Sequence, residues 1–507
     1  MSAAPRALPP RPSLSQQRKL AKELIAAFRA GDPEAIARVR AALPDKQKVG
    51  LTDAQFVLAR EYGFPTWRAL VQHIEQTLID ERPLVDRFRH AFAMRDAAAL
   101  RRLRAHGAEI RRLVNEPMFD FNSPALLVAS GRGDVDVVDA LLELGADPNR
   151  KSEWWAGAFH PLYHARGEVA EHLLAAGATP DACAAAALDR IDLLEPMLAA
   201  DPLRVHERGG DGQTPLHFAR TIRMADFLLA HGADIDARDV DHRSTPAEWM
   251  LSDAEYPTRS RTDLARHLVE RGASADIFMA AALGLTERAR ALVEADPRVL
   301  SLRTGQGAYA EQPPSSYHIY LWSIGPNLTP LQTASKFGQR ETLAFLLRFA
   351  TPEQQLLVAC HEADAEAAQR IVAAHPGIVA SFSGSDAAAL GDEAWVSNAP
   401  AVQLMLQLGF DPAAGEFGQT ALHRAAWAGA PEIVAAILST ERGRALLETR
   451  ETQFGGTPLG WCCHGSVNNR NAAADHVAVA RLLVAAGVVV PDDMEGSDDV
   501  QAVLDAR

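Results

Sequence analysis

Thr214-Pro215-Leu216-His217 opens a stretch of sequence that closes with Leu228-Leu229-Ala230-His231-Gly232-Ala233-Asp234. Each part has a local physical role. Threonine caps a helix, proline fits the first helical position because its missing N–H costs nothing there, and the glycine supplies a left-handed C-cap. The stretch therefore predicts two short helices joined by a tight connection and followed by a turn.

The same theme returns along the chain, which makes repetition the main signal. Degenerate copies end in Asp201-Pro202, Asp296-Pro297 or His375-Pro376 and keep the apolar stripe without the Thr-Pro cap. We count about 11–12 helix pairs, placed near 84–107, 123–146, 160–178, 182–202, 214–233, 245–273, 276–297, 329–350, 354–376, 385–409, 420–439 and 457–487.

These residues resemble the ankyrin repeat, whose signature is T-P-L-H-x-A with a period of about 33 residues. Gly145 and Gly177, which close two successive copies, are 32 residues apart. The resemblance implies an all-α ankyrin-repeat solenoid with short hairpin fingers. Such repeats stack into a continuous core and leave a ridged concave groove for recognition.

Four segments are predicted from composition and helical periodicity. Residues 1–12 are rich in proline and alanine and predict a disordered tail, 13–80 a small helical bundle, 82–490 the repeats, and 491–507 a C-terminal tail with a short helix. Within the bundle, Ala59-Arg60-Glu61-Tyr62-Gly63-Phe64-Pro65-Thr66-Trp67 resembles an element that precedes ankyrin repeats in a group of bacterial proteins. That resemblance implies a bacterial cytoplasmic setting without naming a substrate.

Charge and cysteine content narrow the function classes. The net charge is −14, and residues 1–80 contribute +4, so the repeat body is acidic and nucleic acid is an unfavoured partner. A basic stripe of Arg18, Lys22, Arg29, Arg38 and Arg40 keeps a nucleic-acid role of the bundle as a third hypothesis.

Four sparse cysteines form no disulfide framework, and the sequence shows no signal peptide or membrane span, so we expect a cytoplasmic protein.

Several short motifs resemble enzyme or metal-site signatures, but the sequence around them does not match what those sites require. Gly305-Gln306-Gly307-Ala308-Tyr309-Ala310 fits G-x-G-x-x-A but leads into prolines rather than a helix. Cys462 and Cys463 align with the small core positions Ala425 and Ala426, which predicts buried cysteines rather than metal ligands. We expect structural capping by His217 and His423, and no catalytic residue, cofactor or metal. The aspartates at 234, 236, 239 and 241 lack the glycine and glutamate of a calcium loop, so we interpret them as solvated turn residues.

Two aromatic segments are the best candidates for a binding site. The segment 298–328 is long for a finger, and the alternation from Ser315 to Trp322 predicts an extended strand. It is either structural or an aromatic anchor for a partner. A second aromatic finger spans Glu153 to His160. The predicted partner-binding residues are Trp154, Trp155, Tyr317, His318, Tyr320 and Trp322.

The sequence thus favours a non-enzymatic scaffold or adaptor that binds another protein along the concave groove, with a monomer as the default. The alternative is a small-ligand receptor or enzyme whose site lies under the 298–328 segment and uses His318, Tyr317 or Arg303. An enclosed pocket with converging polar groups would favour that alternative.

Overall fold

The structure is a computed structural model that describes residues 6–9, 12–44, 46, 48–80, 82–251, 261–310, 314–469, 471–491 and 494–506. It comprises two compact units. The first contains Met1–Glu153 with Phe159–Thr179, and the second contains Trp154–Ala158 with Pro180–Arg507. Across the described ranges the regular structure is helical, without β-strands. The predicted division at residues 80–82 remains a prediction.

The first unit begins with a four-helix bundle. Its helices are α1 Leu14–Arg29, α2 Pro33–Ala42, α3 Leu51–Glu61 and α4 Trp67–Asp80. Their apolar stripes meet in a core that includes Leu24, Val39 and Val57. Most of the predicted tail 1–12 lies outside the described residues, but the Arg6 backbone N–H donates to the Glu61 carbonyl at 2.8 Å. Residues 6–9 therefore pack on the bundle.

Helix pairs complete the first unit. They are α5 Leu84–Ala93 with α6 Ala97–Arg102, α7 Ala108–Leu113, α8 Ala125–Arg132 with α9 Val135–Glu143, and α10 Gly167–Ala175. The predicted first helix near residue 160 is wrong in one respect, because Pro161–Tyr163 forms only a 3-10 turn.

The second unit stacks further pairs and shorter helices. In chain order they are α11 Ala182–Ala187, α12 Ile191–Ala200, α13 Pro215–Phe218, α14 Ile222–Ala230, α15 Pro246–Trp249, α16 Thr262–Glu270, α17 Ile277–Leu283, α18 Thr286–Ala295, α19 Tyr320–Ser323, α20 Pro330–Lys336, α21 Arg340–Leu347, α22 Pro352–His361, α23 Ala365–Ala374, α24 Ile378–Ser381, α25 Gly384–Ala387, α26 Ala389–Trp395, α27 Ala399–Leu408, α28 Ala421–Ala428, α29 Pro431–Leu438, α30 Glu441–Arg444, α31 Pro458–Asn468, α32 His476–Ala485 and α33 Asp498–Asp505.

Small residues let the first helices of successive pairs approach closely. Every side chain of α11 and of α17 is buried, and α11 packs on α13, α17 on α20, and α28 on α26 and α31. Eleven of the twelve predicted pairs consist of two α-helices in the described ranges, so the all-α repeat solenoid is confirmed. Among those same helices, none combines the length and apolarity that a membrane span requires.

Candidate binding surfaces

Four segments of the second unit lie edge to edge, and we call them the finger row: 154–158, 209–213, 239–244 and 314–319. Gly157 approaches the second segment so closely that a Cβ there would lie 2.2 Å from the Gly209 carbonyl oxygen. The Asp211 carbonyl accepts a hydrogen bond from Val240 N at 2.9 Å, and the Asp241 carbonyl accepts one from Ser316 N at 3.0 Å. Segments distant in sequence are thereby brought side by side.

The fourth segment behaves as an additional finger. Hydrogen bonds that join it to the third recur at a separation of 75 residues, from Ser315 with Val240 to Ile319 with Ser244. The one-turn helix α19 then follows it, as α15 follows the third finger. The predicted extended strand is therefore wrong for Tyr320–Ser323, because these residues repeat the finger-then-helix order of the neighbouring copy. Residues 311–313 lie outside the described ranges.

The predicted partner-binding residues fall into two groups. Trp155, Tyr317 and Trp322 are exposed, with 46%, 37% and 60% of their surface accessible, and Trp154 is half-buried. His318 and Tyr320 are buried. A partner-binding role remains a prediction for this set. Only its exposed members have a large accessible surface that a partner could contact.

Buried polar contacts explain why His318 and Tyr320 face inward. The Tyr320 hydroxyl donates to Asp276 Oδ1 at 3.0 Å, and the Tyr309 hydroxyl donates to Asp276 Oδ2 at 2.7 Å. Burial raises the pKa of Asp276, and the charge of Glu248 raises it further. His318 Nε2 lies 3.6 Å from Glu248 Oε2. The segment is thus tied to α15 and to the N-cap of α17.

Arg303 has a structural role on the other side of the segment. Its guanidinium donates to the Asn327 carbonyl at 2.7 Å and pairs with Asp386. Asn327 in turn donates to Asp392 Oδ2 at 2.7 Å, and Asp392 also pairs with Arg424. The sequence left open whether this segment is structural. These bonds fasten both of its ends to neighbouring repeats.

A tryptophan cluster that we did not anticipate from the sequence lies further along the second unit. Trp395, Trp427 and Trp461 come from α26, α28 and α31, which pack successively. The first two rings are stacked with centroids 6.1 Å apart, and the third meets each of them edge-on at 6.4 Å. Their spacing of 32 and then 34 residues is the repeat period and was the signal that could have revealed them.

The fingers beside the tryptophan cluster add exposed phenylalanines. Phe417 is 60% and Phe454 76% accessible, and Thr452 N donates to the Phe417 carbonyl at 2.7 Å. Gly456 permits close packing, because a Cβ there would lie 2.9 Å from Trp461 Cδ1. Apolar surface thus extends from the helices onto the fingers.

The capping histidines have the predicted structural role. His217 Nδ1 accepts from Thr214 N at 3.1 Å, and its Nε2 donates to the Ser244 carbonyl of the next copy at 3.1 Å. His423 makes the matching contacts with Thr420 and Gly456. Burial lowers the pKa of His217 to about 3 and also lowers that of His423.

The predicted burial of two cysteines is confirmed, and the glycine-rich string forms local contacts. Cys462 and Cys463 are buried in the core, and burial raises the pKa of the Cys463 thiol to about 11. In the glycine-rich string, Gly307–Tyr309 forms a 3-10 turn that ends in the Tyr309–Asp276 bond.

The basic stripe of the N-terminal bundle is only partly free for a ligand. Arg38 forms a paired contact with Glu61, at 2.8 and 2.9 Å, while Arg18, Lys22, Arg29 and Arg40 are exposed.

The aspartates after α14 differ from one another. Asp234 is exposed and accepts the Asp236 N–H, and Asp236 accepts two bonds from Ser274, as turn residues do. Asp239 and Asp241 are buried, which corrects the interpretation of all four as solvated. The donor atoms of Asp211, Asp241 and His242 all lie within 4.8 Å of one another. These three residues could hold a cation.

Stacked helix pairs with a row of fingers define a helical repeat protein. The family model described as the ankyrin repeat matches residues 122–153 and 211–240, so these two stretches are similar to ankyrin repeats. The second match spans the finger at Asp211, the cap at His217 and the turn at Asp234. A comparison with curated proteins finds no significant match to this chain.

Proposed function

We propose that this chain is a non-enzymatic scaffold that binds another protein along its concave groove in the bacterial cytoplasm. The tryptophan cluster carries the proposal. Three indoles from successive first helices share one surface, with Trp395 39% accessible and the other two half-buried. Ankyrin repeats serve in general as protein-interaction modules, and the four buried free cysteines suit a reducing compartment.

The energetics of association favour such a surface. Tryptophan is enriched among the residues that dominate binding energy, and it loses little conformational freedom on burial when it is already packed. Each ring of the cluster is braced by the other two, and Trp461 also meets His423 edge-on at 5.6 Å. A partner would therefore bury apolar area without first having to order these side chains.

The finger row offers a second surface in the same unit. Trp155 and Tyr317 expose aromatic area there, although 162 residues separate them in sequence, and Trp322 adds to it from the adjoining helix α19. This surface and the tryptophan cluster are composed of different residues, so substitutions can test them separately.

The decisive experiment captures partners with three variants of the full chain beside the wild type. One variant carries Trp395→Ala and Trp427→Ala, and another carries Trp155→Ala, Tyr317→Ala and Trp322→Ala. The control carries Leu203→Ala and Val489→Ala, which remove apolar side chains that are 75% and 67% accessible elsewhere in the second unit. Circular dichroism and thermal melting establish that each variant is folded.

A captured protein is then purified, and its affinity for each variant is measured by calorimetry. We expect the control to bind as the wild type does and the cluster variant to bind at least tenfold more weakly. Equal affinity for all four chains would refute the proposed surfaces, and loss in the finger-row variant alone would move the site to the fingers.

The alternative, a ligand or enzyme site under the 298–328 segment, has less support. Arg303 and His318 each contact their own structural partners. One open depression of about 800 Å³ is lined by residues around Gly272 and Leu285 and takes no side chain from that segment. A small molecule bound beside Tyr317 in the absence of any protein partner would favour the alternative.

A further inference from the structure

A compact cluster of two carboxylates and one imidazole lies within the finger row. Asp211 belongs to the second finger, and Asp241 and His242 belong to the third. His242 Nε2 is 3.7 Å from Asp241 Oδ2, and the three donor atoms lie within 4.8 Å of one another. We propose that Asp211, Asp241 and His242 form a binding site for a divalent transition-metal ion, with Zn²⁺ as the representative.

A hydrogen bond from Nδ1 orients the His242 imidazole so that Nε2 can bind a metal ion. His242 Nδ1 donates a hydrogen bond to the Tyr317 carbonyl at 2.7 Å. In the neutral imidazole this bond places the proton on Nδ1 and leaves the Nε2 lone pair on the side of the carboxylates. Histidine ligands of metals typically use the same arrangement, because the outer hydrogen bond fixes the tautomer and the ring orientation.

Asp211 gives an independent indication of a ligand. The residue is 6% accessible, and its buried Oδ1 accepts no hydrogen bond of normal length and angle, although the Trp154 side chain interacts with the carboxyl. Burial raises the pKa of the Asp211 carboxyl to about 7; the facing His242 and the Trp154 side chain lower it, and Asp241 and Asp239 raise it. A buried carboxylate oxygen without a full hydrogen bond is costly, and a cation among these donors would remove that cost.

The donor set and its dimensions select the class of cation. Mixed imidazole and carboxylate donors suit Zn²⁺ and its neighbours, whereas Ca²⁺ prefers six or more oxygen ligands. Zinc bonds nitrogen and oxygen at about 2.0–2.2 Å, so donors around one ion lie about 3–4 Å apart. The donor atoms would need to come about 1 Å closer together to bind the ion.

The position of the cluster indicates what the ion would do. Ser316 N donates to Asp241 Oδ1 at 3.0 Å, and the Tyr317 carbonyl holds His242. An ion on Nε2 polarises the imidazole and strengthens the bond from Nδ1 to Tyr317. The ion would therefore clamp three fingers together and fix the backbone that presents the exposed Tyr317.

The test uses the full chain, treated with a chelator and kept reduced. Zn²⁺ is titrated by calorimetry, and Co²⁺ is titrated with visible absorption as a report on the ligands. We expect one ion per chain, and we expect Asp211→Asn and His242→Gln each to weaken binding at least tenfold. Hydrogen exchange of residues 314–319 should slow when Zn²⁺ binds the wild type and not when it is added to Asp211→Asn.

Two matched variants serve as controls. Asp234→Asn removes an exposed aspartate before the third finger, and His231→Gln removes an exposed histidine at the end of α14, so both should bind as the wild type does. The assignment is overturned if the wild type binds no Zn²⁺ at 1 mM or if Asp211→Asn, verified as folded, binds it unchanged. A strong Co²⁺–thiolate band would place the ion on cysteines instead, and saturation by Ca²⁺ without competition from Zn²⁺ would refute the cation class.

Discussion

The hydroxyl of Tyr320 donates a hydrogen bond of 3.0 Å to Oδ1 of Asp276, the residue that caps the N-terminus of α17. One contact thereby joins the 298–328 segment to the helix of another repeat. Tyr320 is fully buried, whereas Tyr317, three residues earlier in the chain, is exposed. Two aromatic residues of the same segment thus have different tasks, one within the fold and one at its surface.

Replacing Tyr320 with phenylalanine should therefore destabilise the chain. Tyr320→Phe keeps the ring and removes a buried donor to a carboxyl group, which we expect to lower the free energy of unfolding by about 1–3 kcal/mol. Urea denaturation measures the change. Tyr317→Phe, which alters an exposed hydroxyl, is the control and should lie within about 0.5 kcal/mol of the wild type. Equal effects of the two substitutions would contradict the assigned anchor.

Acid should destabilise the second unit through its capping histidines. The folded pKa of His217 is about 3, below its ordinary value of 6.5, because the ring is buried. Between these values the unfolded chain binds more protons, so the free energy of unfolding falls as pH falls from about 6.5 toward 3. At pH 5 the contribution of His217 amounts to about 2 kcal/mol. Melting temperatures recorded between pH 7 and pH 5 measure it.

The substitution His217→Gln should reduce this pH dependence. Glutamine can still cap the threonine, since Gln332 accepts the Thr329 N–H at 3.0 Å in another repeat. The bond to Ser244 is lost, so we expect a cost of about 1 kcal/mol at pH 7 together with a shallower decline on acidification. Exposed His231→Gln should keep the wild-type decline. An unchanged slope in His217→Gln would show that other groups cause the acid sensitivity.

Close approach of the fingers requires glycine at position 157. Its φ is +148°, and a Cβ would lie 2.2 Å from the Gly209 carbonyl oxygen and 2.7 Å from Gly212 N. Because both obstacles are backbone atoms, Gly157→Ala should cost about 2 kcal/mol more than Gly232→Ala. Gly232 also has a positive φ, of +89°, but a Cβ there meets nothing within 4 Å. Thermal unfolding of the two variants measures the difference: Gly232→Ala reports the backbone strain alone, and Gly157→Ala reports the strain together with the steric clash.

Within the tryptophan cluster, Trp427 should be a major determinant of partner affinity. Trp427→Ala removes the ring that stacks on Trp395, so we expect a loss of about 2 kcal/mol, or roughly thirtyfold in Kd. Calorimetry with the purified partner measures the loss. Val467→Ala, on the same helix as Trp461 and 65% accessible, is the control for exposed apolar area. If both substitutions weaken the affinity by the same small amount, the partner does not bind to the tryptophan cluster.

The repeat pattern correctly predicted the features that depend on interactions between residues close together in sequence. Thr214 and His217 are three residues apart, and their contacts close within one helical turn, so the motif by itself indicates the cap and the helix that follows. The buried cysteines at 462 and 463 were likewise predictable, because alignment with the preceding repeat places them on its small core positions. The partial failure at Pro161–Tyr163 shows where one copy with a regular opening departs from that pattern.

The sequence by itself therefore determined the helix pairs, their caps and the all-α repeat architecture, because each depends on residues a few positions apart. Only the tertiary structure decided which fingers became neighbours. Asp211 meets His242 and Trp395 meets Trp427 through stacking of repeats about 30 residues apart, and Tyr317 reaches His242 across 75 residues. Such contacts depend on which repeat packs on which, and an insertion such as 298–328 changes that order without altering any local motif.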